Sequence, residues 1–170
     1  TNDGAFIRAW GTSGSGPGQF MDIEGIAISP FGELFAADWN GRIQYFTTDG
    51  VFLGQWGTAG SEPGQLNGVC DIAFDKAGNL YVVEYLNRRV QKFHRDGTLL
   101  GVLTGGPVEG SFYNPIGIGI DESGYMYLAD AYNQRMVKYK LLSVAANPTF
   151  VYGPYVDEPV LCENSDGTRH

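Results

Sequence analysis

Short apolar bursts alternate with polar turns along this chain, and the bursts return at a fixed distance. The run Gly25-Ile26-Ala27-Ile28 is followed by a turn at Gly32, then by Leu34-Phe35-Ala36-Ala37 ending in Asp38. A polar loop and a third run, Arg42-Ile43-Gln44-Tyr45-Phe46, complete the unit. The same order recurs over residues 71–93 and again over residues 117–139. The turn glycines Gly32, Gly78 and Gly124 stand 46 residues apart each time. A repeat of this length is the mark of a propeller or a solenoid.

Each repeat predicts four strands. The first (25–28, 71–74, 117–120) mixes Gly and Ala with apolar residues, as a crowded inner strand requires. The second (34–37, 80–83, 126–129) is apolar on both faces and predicts a central strand buried between neighbouring sheets. The third (42–46, 89–93, 135–139) alternates polar with apolar and predicts a half-exposed strand nearer the rim. A fourth, outer strand follows an Asp-Gly turn at Asp49-Gly50, at Asp96-Gly97 and, at the start of the chain, at Asp3-Gly4. Loops rich in Gly, Ser and Pro (12–18, 58–64, 104–110) punctuate the repeats. Four antiparallel strands joined by tight turns make one propeller blade. Glycine density and aromatic or β-branched runs oppose a helical repeat.

The expected fold is therefore an all-β propeller of four-stranded antiparallel blades, with about three blades in this chain, half of a six-bladed ring. Residues 1–11 read as an outer strand, 17–57 and 63–104 as blades, and 110–142 as a partial blade. These form one unit, 1–142, followed by an irregular tail, 143–170. Three blades leave apolar flanks uncovered, which predicts association. Three solutions stay open. A second copy completes the ring, further chain or a larger assembly supplies the other blades, or residues 150–152 fill the missing outer position.

Composition adds limits. The chain has 170 residues, 43% hydrophobic and 14% aromatic, enough for a packed core. Only 11 basic residues face 19 acidic ones, for a net charge of −8, which disfavours nucleic acid. No apolar run is long enough for a membrane span and no signal peptide is visible. Acidity, low lysine content and the style of the repeats suggest an extracellular or cell-envelope setting. Cys70 and Cys162 do not make a disulfide framework, although one bridge is open in an oxidising compartment.

Pro63-Gly64-Gln65-Leu66, then Asp71-Ile72-Ala73-Phe74-Asp75, Gly78-Asn79-Leu80-Tyr81-Val82-Val83-Glu84, Asn87-Arg88-Arg89-Val90-Gln91-Lys92-Phe93 and Asp96-Gly97 resemble an NHL repeat. The resemblance spans three successive copies. It implies a β-propeller, commonly six-bladed, used mainly as a protein-interaction platform. Some members bind RNA through a basic face, and related six-bladed enzymes hold a metal in the central channel. The chain departs from the pattern in carrying about three repeats and in having Gly41 where the other copies have Arg88 and Gln134.

Candidate chemistry follows the period. Asp38, Glu84 and Asp130 end the second strands, with Asn40, Asn87 and Asn133 and then Arg42, Arg89 and Arg135 after them. Oxygen donors of this kind suit a hard cation, but a feature present in every blade favours a structural acid–Arg pair. Asp22, Glu24 and Asp71, at the entry to the inner strands, are the metal candidates. Calcium is left open as a cofactor and no other is expected. His94 and His170 lack ligand partners at suitable spacing, and there is no nucleophile elbow. Trp39, Tyr85 and Tyr132 lie in the loops after the second strands and are the expected binding surface. Trp10 and Trp56 are expected to pack between blades. The function expected is a non-catalytic protein-interaction or assembly module, not an enzyme, that meets a protein partner or its own copy through propeller faces. The alternative is part of a calcium-dependent six-bladed hydrolase or lyase.

Overall fold

Each predicted burst within the repeats becomes a strand in a computed structural model, which describes residues 4–106 and 110–141. A short parallel pair, β1 (Thr12–Ser13) with β2 (Gln19–Phe20), leads into blade I. Blade I comprises β3 (Ile23–Ile28), β4 (Glu33–Asp38), β5 (Arg42–Thr47) and β6 (Phe52–Trp56), antiparallel and in that spatial order. Blade II repeats it with β7 (Val69–Phe74), β8 (Asn79–Glu84), β9 (Arg89–His94) and β10 (Leu99–Leu103). A second short pair, β11 (Gly105–Gly106) with β12 (Gly110–Ser111), precedes blade III. Among the described residues, blade III has three strands: β13 (Gly117–Ile120), β14 (Tyr125–Asp130) and β15 (Arg135–Lys140), with a 3-10 turn at Ala131–Asn133.

The central strands explain why the blades stack. Side chains alternate across a strand, so β8 sends Leu80 and Val82 toward blade I and Tyr81 and Val83 toward blade III. Phe35, Ala37 and Ile43 of blade I meet Leu66, Ile72, Leu80, Val82 and Phe93 in one core. Tyr81, Val83 and Val90 meet Phe112, Met126 and Leu128 in the next. Burying each large side chain contributes about 1.5–3 kcal/mol. The inner strands are as crowded as their glycines suggest. A Cβ at Gly25 would stand 2.8 Å from the Cα of Asp71. The Asp-Gly hairpins take the left-handed region at Gly50 and Gly97 (φ 82° and 90°), which glycine enters without cost. Trp10 and Trp56 lie over these two glycines, and Trp56 also packs on Phe93 of the next blade at 5.0 Å.

Two expectations need correction. The third strands of blades I and II are not half-exposed. Gln44 and Gln91, the polar half of the alternation, are buried because the Gly-rich connections satisfy their amides. The opening segment, expected as an outer strand over residues 1–11, forms no strand where it is described, and residues 4–11 are exposed. An outer strand needs the third strand of its own blade to bond to, and no blade precedes it among the described residues. The tail 143–170, with Cys162, His170 and residues 150–152, lies outside the described residues.

Each blade also pairs its second-strand acid with the Arg that opens its third strand. In blade II that pair is the most buried. Arg89→Met leaves the Glu84 charge buried without its partner, and should cost about 3–5 kcal/mol in urea unfolding. Arg135→Met in the more open blade III should cost clearly less.

Candidate functional site

The repeated acids are joints between a blade and the connection that enters it. Arg89 donates from Nε to Glu84 at 2.7 Å and from its other nitrogens to the carbonyls of Ser61 (2.8 Å) and Gln65 (2.7 Å). Gln91 donates to Glu84 and to the Gln65 carbonyl, each at 2.7 Å, and accepts from the Gly64 N–H at 2.8 Å. Blade I repeats the joint with Arg42 on Asp38 and the Gln19 carbonyl, and Gln44 on Gln19 and Gly18. The carboxylates also accept backbone N–H groups, Glu84 from Asn67 at 2.9 Å and Asp130 from Tyr113 at 2.8 Å. Blade III has Val137 in place of the glutamine, and its Asp130 is held by Asn133 and Arg135, each at 2.8 Å. Burial alone would raise the Asp130 carboxyl. The Asn133 amide, the Tyr113 N–H and Arg135 outweigh it and hold the group below the ordinary carboxylate range. These acids are spent on the fold.

The three aromatic residues singled out from the sequence come together. Trp39 and Tyr85 have ring centroids 5.9 Å apart, and Tyr85 and Tyr132 6.0 Å apart. The Tyr85 and Tyr132 hydroxyls share a hydrogen bond at 3.1 Å. This bond, then the charge of Tyr85, pushes the Tyr132 phenol up. Tyr113 extends the row, 5.3 Å from Tyr132, and the Arg88 guanidinium sits 4.4 Å over its ring. The row thus crosses all three blades at one end of the sheets. The other copies have Gly41 and Gln134 at the position of Arg88 and Met21 and Asn67 at that of Tyr113, so the period could not point to them.

Asp22 and Glu24 stand at the same end. The Trp39 N–H donates to the Asp22 carbonyl at 2.9 Å, and both acids are exposed. Asp71 does not join them. It lies within β7, where one oxygen accepts the Ile72 N–H and the other the Ile118 N–H of blade III, each at 2.9 Å. Its carboxylate ties two inner strands together. Burial, then the charge of Glu24, pushes the Cys70 thiol up to about 11, so it is a poor nucleophile at neutral pH. Among the described residues no group of three or more His, Cys, Asp or Glu side chains could hold a metal. No helix of the described residues is long and apolar enough to cross a membrane.

No family model and no curated protein matches the chain. Among solved structures it is similar to a streptogramin B lyase, at 16% identity over 72% of this chain and 41% of that one, with a TM-score of 0.50. It is similar to a luciferin-regenerating enzyme, at 14% identity over 65% and 38%, with a TM-score of 0.51. It is also similar to a catalytically inactive virginiamycin B lyase from Staphylococcus aureus with quinupristin, at 16% identity over 71% and 42%, with a TM-score of 0.50. The chain spans about two fifths of the length of these structures. The likeness shows the β-propeller fold. It also corrects the expectation of a non-catalytic module and of a protein that is not an enzyme. The propellers it resembles are themselves enzymes, and a blade scaffold carries either role through its loops.

Asp130 gives the site a pH signature. Its folded-state carboxyl titrates below the unfolded value, so its stabilisation is full above pH about 4 and is lost as the pH falls through the folded value. Asp130→Asn should lower stability at pH 7 by about 1–3 kcal/mol. In unfolding curves from pH 7 down to acid, the gap to the wild type should close.

Proposed function

We propose that this chain is part of a propeller enzyme of the hydrolase or lyase kind, holding its substrate on the aromatic row and moving protons with Asp22 and Glu24. The observation that carries this is the continuity of Trp39, Tyr85, Tyr132 and Tyr113 across three blades, beside exposed carboxylates. Aromatic faces suit a substrate with a flat or ring-shaped apolar side. The Tyr85 and Tyr132 hydroxyls suit polar groups at its edge. A carboxylate beside such a wall is placed for general acid–base work, which contributes about 10²–10⁴-fold. The likeness to solved lyases supports this reading in one respect, that the fold accommodates such chemistry. The facing wall of the site belongs to the blades that close the ring.

Three finer points belong to the same proposal. Calcium, if the ring holds it, draws on Asp22 and Glu24 from this arc and on donors from the other blades. The blades are read as NHL repeats, because Arg89 and Gln91 grip the Pro-Gly-Gln loop that carries the resemblance. An extracellular or envelope setting rests on the net charge of −8.

Turnover of ring-opening probes, small lactones and quinupristin, tests the reading. Trp39→Ala should raise KM with little change in kcat, whereas Glu24→Gln should lower kcat about 10²-fold. Failure of the native particle to open any of these rings would remove the enzymatic assignment.

A further inference from the structure

The two ends of the arc repeat the two halves of a contact that the chain makes between blade I and the connection to blade II. Where blade I meets the connection to blade II, the Gly41–Arg42 loop presses on Gly57, Ala59 and Leu66. A Cβ at Gly57 would stand 2.6 Å from the Gly41 carbonyl and 3.4 Å from the Arg42 Cα, and one at Gly41 would stand 3.2 Å from the Ala59 Cα. At blade II the corresponding residue Arg88 lies over Tyr113 at 4.4 Å. The residues 46 earlier than Gly57, Ala59 and Leu66 are Gly11, Ser13 and Phe20. With Trp10, Met21, Asp22 and Ile23 they line an open surface depression of about 420 Å³. Arg42 and Gln44 hold this connection through the Gln19 carbonyl, and the Phe20 ring lies beside Gly11 where the Gly41 carbonyl lies beside Gly57. The matching loop at the far end of the arc is exposed at Gln134. Its φ of 55° matches Arg88 at 53° and falls in the same left-handed region as Gly41 at 88°.

The flanks match in the same way. Ile26 and Ile28 are each 63% exposed, whereas Ile72, the counterpart of Ile26 in blade II, is 3% exposed. Met136 is 70% exposed, whereas its counterparts Ile43 and Val90 are 0% and 1%. The opening segment already sits where an outer strand would. Trp10 packs over Gly50 as Trp56 packs over Gly97, with a glycine Cβ 2.7 Å from the ring in both cases. Its Phe6 and Ile7 are 84% and 88% exposed, and β15 pairs only with β14 among the described strands.

We propose that a second copy of this chain closes both ends. Blade III of one copy seats its Gln134–Arg135 loop in the depression beside Trp10 of the other, and residues 5–10 of that other copy become the missing outer strand of blade III. The register follows from the two complete blades. Ile43 faces Trp56 and Phe46 faces Phe52 in one, and Val90 faces Leu103 and Phe93 faces Leu99 in the other. Carried to blade III, Met136 faces Trp10, Tyr139 faces Phe6, and Lys138 faces Arg8. The last pairing is the weak point, because Tyr45 and Lys92 face glycines, Gly54 and Gly101. Like charges across an exposed edge oppose the pairing by a small amount, against the burial of Phe6, Ile26, Ile28 and Met136. Head-to-tail contacts of this kind close a ring when the rotation is right and otherwise run on as a filament.

Sedimentation of the purified chain tests this. The expected particle is a closed pair of twice 18.5 kDa, about 37 kDa. Arg8→Glu puts a carboxylate opposite Lys138 and should tighten the pair about tenfold, whereas Phe6→Ser should loosen it by at least as much. Both residues are exposed and outside every sheet, so circular dichroism of the monomer should not change. A monomer at every concentration reached, an open ladder of masses, or a dissociation constant indifferent to Arg8→Glu would each overturn the proposal. A closed pair that turns over no substrate leaves it standing and defeats only the enzymatic reading.

Discussion

Two-sided burial of the central strand is the constraint on which this structure rests. β4, β8 and β14 each carry apolar side chains on both faces, so each sheet needs a neighbour on both sides. A sandwich satisfies that demand with one partner sheet per face, and a propeller satisfies it with the next blade round. Among the described residues, blade II alone has both neighbours. Its central strand is buried at every position except its first, whereas β14 in blade III alternates between buried and half-buried.

Hydrophobic stacking does not set where a blade sits along its neighbour, and the buried polar joints do. Glu84, Arg89 and Gln91 are a charged and polar set in a nearly dry place. They are tolerated because the carboxylate and side-chain amide meet donors or acceptors on the connection below. That arrangement converts a Gly-rich loop, which has no core of its own, into a fixed spacer between sheets. It also removes the repeated acids from the list of groups free to bind a cation. Asp71 does comparable work between inner strands, with one oxygen on blade III.

The architecture was legible because each repeat states it again. Period, strand order and the Asp-Gly turns all came from positions that recur at a fixed spacing, and Trp39, Tyr85 and Tyr132 were found by the same route. Features without copies stayed hidden. Tyr113 and Arg88 complete the aromatic row but replace different residues in the other blades, so no pattern marked them. Gln44 and Gln91 were misread in the opposite sense. A polar residue in an alternating strand suggests solvent, and only the connection folded over it shows that its partner is backbone. The opening strand failed for a related reason. Propensity and turn chemistry give it strand character, but a strand exists only where another edge accepts its hydrogen bonds.

Site and assembly are therefore one problem. The aromatic row and the carboxylates Asp22 and Glu24 lie at one end of the described arc, so in the proposed pair this arc would supply one wall of a cleft. A wall of tyrosines open to water binds weakly, because ring faces gain most where water is excluded from both sides. In the proposed pair, covering Ile26 and Ile28 on one flank and Met136 on the other would bring a second wall opposite the first, the low-dielectric setting in which the proposed proton transfer would be accelerated. The same apolar flanks that leave this arc incomplete thus decide whether its polar end is a surface or a site.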